Sequence, residues 1–231
     1  MGVGWYENGR PRVVKETRRA DHSAKAESLA QEPPRSDLFV IHVRAATVGR
    51  IAYENTHPFM ASAIGRPWIF AHNGTIRDLG RLSRGEFRQR GETDSERAFH
   101  YLLSRLENLD EAADEAEVTA DILAGARELS RGGRVNFLLT DGRSLFAYHD
   151  GHRTLHFLER RADDPEDLGH LRVADDSDYT VDLDVADVPE ERAVVVATVP
   201  LTDEPWTRMG VGEFLVCRDG RVLARTEERP N

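Results

Sequence analysis

The 231-residue sequence predicts an α+β domain built as layers of sheet and helix, on three observations. Short apolar runs separated by turn dipeptides fill the first third, two helical patterns occupy the middle, and strand-like runs return towards the end. Strands and helices thus come in blocks, whereas a parallel βαβ chain would alternate them. Hydrophobic residues make up 39% of the chain, enough for one sizeable core, and neither an internal repeat nor a linker divides it. A single domain over residues 1–231 is expected.

Each element follows from its residues. Val3-Gly4-Trp5-Tyr6 and Arg12-Val13-Val14-Lys15 flank Asn8-Gly9, the preferred dipeptide of a two-residue hairpin turn. The polar stretch 17–37, with Pro33-Pro34, predicts a short helix and a loop. Leu38-Phe39-Val40-Ile41 and Trp68-Ile69-Phe70-Ala71 are unbroken apolar runs, as expected of strands buried on both faces. Thr93-Asp94-Ser95-Glu96 reads as a capping box that opens a helix with Phe99, Leu102, Leu103 and Leu106 on one face. The acidic run 107–121 leads into a second helix that ends near Gly132-Gly133. Phe137-Leu138-Leu139-Thr140 and Leu145-Phe146-Ala147-Tyr148 flank Asp141-Gly142, a second hairpin. Strands are further expected at 154–158, 193–198 and 213–216, the last turning at Asp219-Gly220 into Arg221-Val222-Leu223. The segment 161–191 is acidic and weakly patterned, a loop with room for one strand.

Charge narrows the function. Forty-one acidic against 31 basic side chains give a net charge of −10, the same sign as nucleic acid and anionic membrane, so neither is an expected partner. No apolar run approaches the length of a membrane span, and a cytoplasmic location is expected. One cysteine, Cys217, precludes an internal disulfide or a multi-cysteine zinc site within this chain. It falls in a strand pattern, where a cysteine ordinarily serves as a small buried hydrophobe. His149, His152 and His156 follow no standard metal spacing, and no cofactor is expected.

Three polar clusters sit where strands end. The first is His42-Val43-Arg44-Ala45-Ala46-Thr47-Val48-Gly49, in which Arg44 can grip a carboxylate with two parallel N–H donors. The second is Asn55-Thr56-His57-Pro58-Phe59. The third is His72-Asn73-Gly74, where a side-chain amide next to a glycine N–H offers two donors to a developing oxyanion. Asp94, at a helix start, can face a substrate ammonium. Taken singly, each has an ordinary reading. Arg44 fits a salt bridge, Asn73-Gly74 a turn, Asp94 the positive end of a helix, and His57 a packed loop.

Together they resemble one family. His-x-Arg-x-x-Thr-x-Gly from His42, Glu-Asn-Thr-His-Pro-Phe from Glu54, Ala-His-Asn-Gly from Ala71 and Gly-Glu-Thr-Asp-Ser-Glu from Gly91 occur in the order of the class II glutamine amidotransferases, which are N-terminal-nucleophile hydrolases. Asn136-Phe137-Leu138-Leu139-Thr140-Asp141-Gly142 and Pro200-Leu201-Thr202 extend the likeness, which runs from about Gly2 to about Leu223. It is strongest to the stand-alone bacterial group without a synthase domain. The resemblance implies a four-layer αββα sandwich and a glutamine or γ-glutamyl substrate. Arg44 would hold the α-carboxylate, Asp94 the α-ammonium, and the Asn73 side chain with the Gly74 amide the oxyanion, while Thr47 and His57 would line the pocket.

The family's nucleophile is a cysteine at the mature amino terminus, whose own α-amine acts as base. Here residue 2 is Gly2, and Met1-Gly2-Val3-Gly4-Trp5-Tyr6 resembles an internal strand of the family. The resemblance therefore implies that the nucleophile, a first strand and a helix lie ahead of Met1, and that residues 1–231 alone are inactive. Ala45 and Val48 replace an aromatic residue and a histidine found in some biosynthetic relatives, which loosens any inference about the amide accepted. Two other readings remain open at this level. One is a γ-glutamyl amidase of the kind used in ergothioneine synthesis, and the other a non-catalytic domain that binds an amino acid or a partner. A homo-oligomer or a synthase partner is compatible with any of them.

Overall fold

The computed structural model describes residues 1–43, 50–110, 112–161 and 192–226. Strands β1 (Gly2–Glu7) and β2 (Arg10–Lys15) form the first hairpin. Asn8 and Gly9 both take positive φ, 51° and 71°, as the tight turn between right-twisted strands demands. Helix α1 (Ala24–Gln31) is capped by Ser23, whose Oγ accepts from the Ala26 amide at 3.0 Å, and it buries no residue. Strand β3 (Phe39–His42) pairs antiparallel with β1. Strands β4 (Phe59–Ala63) and β5 (Arg66–Ile76) follow, then helices α2 (Asp94–Leu106) and α3 (Glu115–Ser130). Strands β6 (Gly133–Thr140), β7 (Leu145–His149), β8 (His156–Arg160), β9 (Ala193–Ala197), β10 (Thr207–Arg208), β11 (Glu213–Arg218) and β12 (Arg221–Thr226) complete the described chain.

The α+β architecture predicted from the sequence is the one observed. Six strands form the central sheet in the order β12-β11-β7-β6-β5-β4. Alternation along β5 sends Trp68 and Phe70 to one face and Ile69 and Ala71 to the other. The first face packs against α2 and α3, where Phe70, Phe99, Leu102, Leu106, Ile122, Leu129, Val135 and Phe137 form the main core. Phe70 lies nearly parallel to Phe99, with ring centroids 5.2 Å apart, and tilted against Phe137 at 5.5 Å. The second face is covered by two three-stranded sheets, β2-β1-β3 and β10-β8-β9. Val40 and Tyr6 of the former pack on Ile69 and Ala71, and Phe157, Val194 and Val196 of the latter on Ala147 and Leu215. Helix, sheet and sheet thus stack as three layers among the described residues.

Two expectations need correction. Leu38-Phe39-Val40-Ile41 does not form a strand buried on both faces. Val40 is fully buried, but Phe39 and Ile41 point the other way and are 39% and 55% exposed. The apolar run is continuous because one face meets β5 while the other carries large side chains into solvent. The box at Thr93 is only half a capping box. Thr93 Oγ1 accepts from the Glu96 amide at 3.1 Å, but the Glu96 carboxylate reaches back past the helix to the amides of Arg90 and Gly91, at 2.8 and 2.7 Å. The complete box is in α3, where Asp114 and Glu117 satisfy each other's backbone amides. The segment 162–191, with the strand allowed there, lies outside the described residues. No helix is long and apolar enough to cross a membrane among the described residues.

Candidate active site

The site is assembled where β5 ends and α2 begins. Asn73 and Gly74 are neighbours of Asn136 and Val135 in the β5–β6 ladder, and both are half-buried. Gly74 is required by close packing. A Cβ there would lie 2.0 Å from the Arg134 carbonyl oxygen and 2.6 Å from His72 Nε2. The ordinary reading of Asn73-Gly74 as a turn is therefore excluded, since both residues lie inside a paired strand. No group among the described residues hydrogen-bonds the Asn73 side-chain amide.

Asp94 is the first residue of α2, after the Thr93 cap. Its Oδ2 accepts from the Ile76 amide at 2.7 Å and its Oδ1 from the Ser95 amide at 2.9 Å. Ile76 is two residues beyond Gly74 on the same strand, so this carboxylate, Asn73 and Gly74 are brought together by β5 itself. Asp94 is half-buried, which leaves an approach for a cation. Asn55 fixes the loop that delivers it. The Asn55 Oδ1 accepts from the Glu92 amide at 2.8 Å and the Asn55 Nδ2 donates to the Arg50 carbonyl at 3.1 Å.

His57 is buried, its ring stacked on His42 at 4.3 Å and edge-on to Phe59 at 4.7 Å. Lys15 closes over the same loop. Its ammonium donates to the Thr56 carbonyl at 2.7 Å and lies 5.1 and 5.2 Å from the ring centroids of Tyr53 and Phe59. Burial pushes the Lys15 ammonium down to about 8, against the pull of Glu96 and Glu54. Arg44 and Thr47, the remaining site residues expected from the sequence, lie outside the described residues.

Four residues of this constellation were given no role by sequence reasoning. Asn55, His72 and Ser95 stand inside recognised motifs, whereas Lys15 carries no local signal. Their roles depend on the approach of β2, β5 and α2, which no spacing along the chain encodes.

Cys217 takes no part. It is buried among Ala147, Leu155, Phe157, Met209 and Leu215, and burial, with Glu159 nearby, pushes its thiol up to about 12. A thiol-reactive dye at pH 8 is expected to label the folded chain at least roughly 100-fold more slowly than the urea-unfolded chain, because only the thiolate attacks. Comparable rates would place Cys217 in reach of solvent and contradict its packing. Two of the three histidines in the 149–156 cluster have other partners. His149 sets its two ring nitrogens against the carbonyls of Gly210 and Arg153, and His152 pairs with Asp150 at 3.1 Å. No group of three metal-ligating side chains occurs among the described residues.

Comparison with known proteins agrees with the motif order. A family model described as "Glutamine amidotransferases class-II" matches residues 1–231. The "Uncharacterized protein MJ1515" of Methanocaldococcus jannaschii is 37% identical over 230 residues, covering 96% of this chain but only 61% of that protein. "Putative glutamine amidotransferase YafJ" of Escherichia coli is 37% identical over 226 residues, covering 96% of this chain and 86% of that one. Among solved structures, a "predicted glutamine amidotransferase" from Pseudomonas aeruginosa superposes with a TM-score of 0.77 at 31% identity, over 96% of this chain and 86% of the other. The glutamine phosphoribosylpyrophosphate amidotransferase of B. subtilis shares the fold alone, with a TM-score of 0.58 at 15% identity over all of this chain and 43% of that one. The match over the whole chain and the 37% identity to a relative of which the chain spans 86% agree, and the chain belongs to the class II glutamine amidotransferases.

Proposed function

We propose that the protein releases ammonia from the side-chain amide of glutamine, or from a related γ-glutamyl amide. The observation that carries this reading is the common anchoring of Asn73, Gly74 and Asp94 on one strand end, with the Asn73 amide left without a partner among the described residues. A zwitterionic amino acid needs an anionic and a cationic clamp, and its reacting amide needs two donors. Asp94 serves the α-ammonium and Arg44 the α-carboxylate. The Asn73 amide and the Gly74 N–H take the oxyanion. Thr47 and His57 line the pocket.

The nucleophile in this reading is the thiol of a cysteine at an amino terminus ahead of Met1. Its α-amine takes the thiol proton, a task suited to a group whose reference pKa is about 7.7–8.0. The sulfur adds to the amide carbon, the cysteine's α-ammonium passes its extra proton to the amide nitrogen, and the tetrahedral intermediate collapses with loss of ammonia to leave a thioester. Water then cleaves the thioester to give glutamate and regenerate the thiol. Cys217, buried and protonated, is no substitute.

A chain extended to begin with that cysteine is expected to release ammonia from glutamine. Asn73→Ala in it should lower kcat by roughly 10²–10³-fold with KM little changed, since an oxyanion donor acts in the transition state. Absence of ammonia release from the extended chain would sink the proposal. Preference for bulky γ-glutamyl amides over glutamine would instead move the substrate to the γ-glutamyl class.

A further inference from the structure

The oxyanion strand and the ammonium clamp are joined by a closed circuit of hydrogen bonds that does not include the substrate. His72 precedes Asn73 on β5, so its ring projects from the opposite face of the sheet, towards α2. It is 3% exposed. Its Nε2 lies 3.0 Å from the Arg134 carbonyl oxygen on β6, and its Nδ1 lies 2.9 Å from Ser95 Oγ on α2. A carbonyl oxygen only accepts, so Nε2 carries the hydrogen. Burial holds the ring below its ordinary pKa against the weaker pull of Asp94 and Asp150, so the ring is neutral at pH 7. Nδ1 is then an acceptor, and the Ser95 hydroxyl must donate to it.

Ser95 in turn donates its backbone N–H to Asp94 Oδ1, and Asp94 Oδ2 takes the N–H of Ile76 on β5. The circuit runs from His72 through Ser95 and Asp94 to Ile76 and closes along the strand, with Asn73 and Gly74 inside it. The Ser95 hydroxyl has a second acceptor within reach, Asp94 Oδ1 at 3.5 Å, but His72 Nδ1 is the nearer at 2.9 Å. Asp94 is thus tied to β5 twice, directly through the Ile76 amide and indirectly through Ser95 and a buried, neutral imidazole on the opposite face from Asn73.

We propose that His72, acting through Ser95, is a positioning residue that sets the spacing between the oxyanion donors and the ammonium clamp, and thereby the side-chain length of the amide that fits. The substrate half of this inference rests on the amide-hydrolase reading, whereas the circuit itself does not. A γ-amide then spans the two subsites and a β-amide, one methylene shorter, falls short of one of them.

The test separates these halves. On this chain, nitrogen-15 NMR of the imidazoles should show His72 as the Nε2–H tautomer at pH 7. The exchange rate of the Ile76 amide, whose acceptor is Asp94, should rise at least tenfold in Ser95→Ala. His72→Asn, with Ser95 intact, places an amide oxygen near the position of Nδ1 and should keep exchange slow. His72→Gln places its amide near Nε2, away from Ser95, and should not. In the cysteine-initiated chain, Ser95→Ala should lower the ratio of kcat/KM for glutamine over asparagine at least tenfold. An Nδ1–H tautomer, an imidazolium, or unchanged Ile76 exchange in Ser95→Ala would overturn the circuit, whether or not glutamine is the substrate. An intact circuit with an unchanged glutamine-to-asparagine ratio would overturn its role in spacing. If the cysteine-initiated chain with no substitution turns over neither amide, the hydrolase reading fails and the spacing role fails with it, while the tautomer and exchange results still decide the circuit.

Discussion

Gly74→Ala is expected to cost at least about 3 kcal/mol of folding stability, or to prevent folding. The new methyl would lie 2.0 Å from the Arg134 carbonyl oxygen, a backbone atom held in the β5–β6 ladder and hydrogen-bonded to His72. It has no flexible side chain to displace, so β5 and β6 must part. A second methyl serves as the control. Gly80 has nothing within 4 Å of its Cβ position, and Gly80→Ala is expected to change stability by no more than about 0.5 kcal/mol. Urea unfolding of both variants decides the matter. Equal midpoints would show that the strand pair yields to a side chain and that Gly74 is present for its amide alone.

Phe70→Ala is the second large effect, expected at about 3–5 kcal/mol. Phe70 is fully buried between Phe99 of α2 and Phe137 of β6, with His72 stacked beyond at 6.3 Å. Its removal takes away a buried aromatic and leaves a void whose walls, a sheet and a helix, cannot close independently. The same ring sets the height of α2 above β5, and so the meeting of Asp94 with Ile76. Denaturant unfolding should show the loss with an unchanged slope. A loss under about 1 kcal/mol would mean that the helix layer collapses onto the sheet without it.

The strands and helices were legible because their signals are local. Asn8-Gly9 fixes its turn by backbone sterics alone, and Phe99, Leu102, Leu103 and Leu106 recur with the period of a helix whose inner face is fully buried. Asn73, Gly74 and Asp94 stand out as candidates only through the order of the motifs, since each has a commoner structural use. What escaped the sequence depends on which surface meets which. The run at Phe39 reads as a two-faced core strand, yet periodicity carries no information about whether a second layer covers it. Glu96 stands at the right spacing to cap its own helix, but the loop at Arg90 and Gly91 folds close enough to compete for its carboxylate and wins it. The pairing of His72 with Ser95 joins residues 23 apart through the packing of α2 on β5, and no spacing rule announces it.

The uncovered face of β3 makes the protein's solution behaviour depend on which salt surrounds it. Phe39, Ile41 and Val43 present a row of apolar side chains on a molecule whose net charge of −10 holds its neighbours apart. Dilute buffer keeps that repulsion long-ranged, and a positive osmotic second virial coefficient is expected there. Sulfate or phosphate shortens the repulsion and strengthens apolar contact at once, so the same coefficient is expected to fall towards negative values as either salt is added.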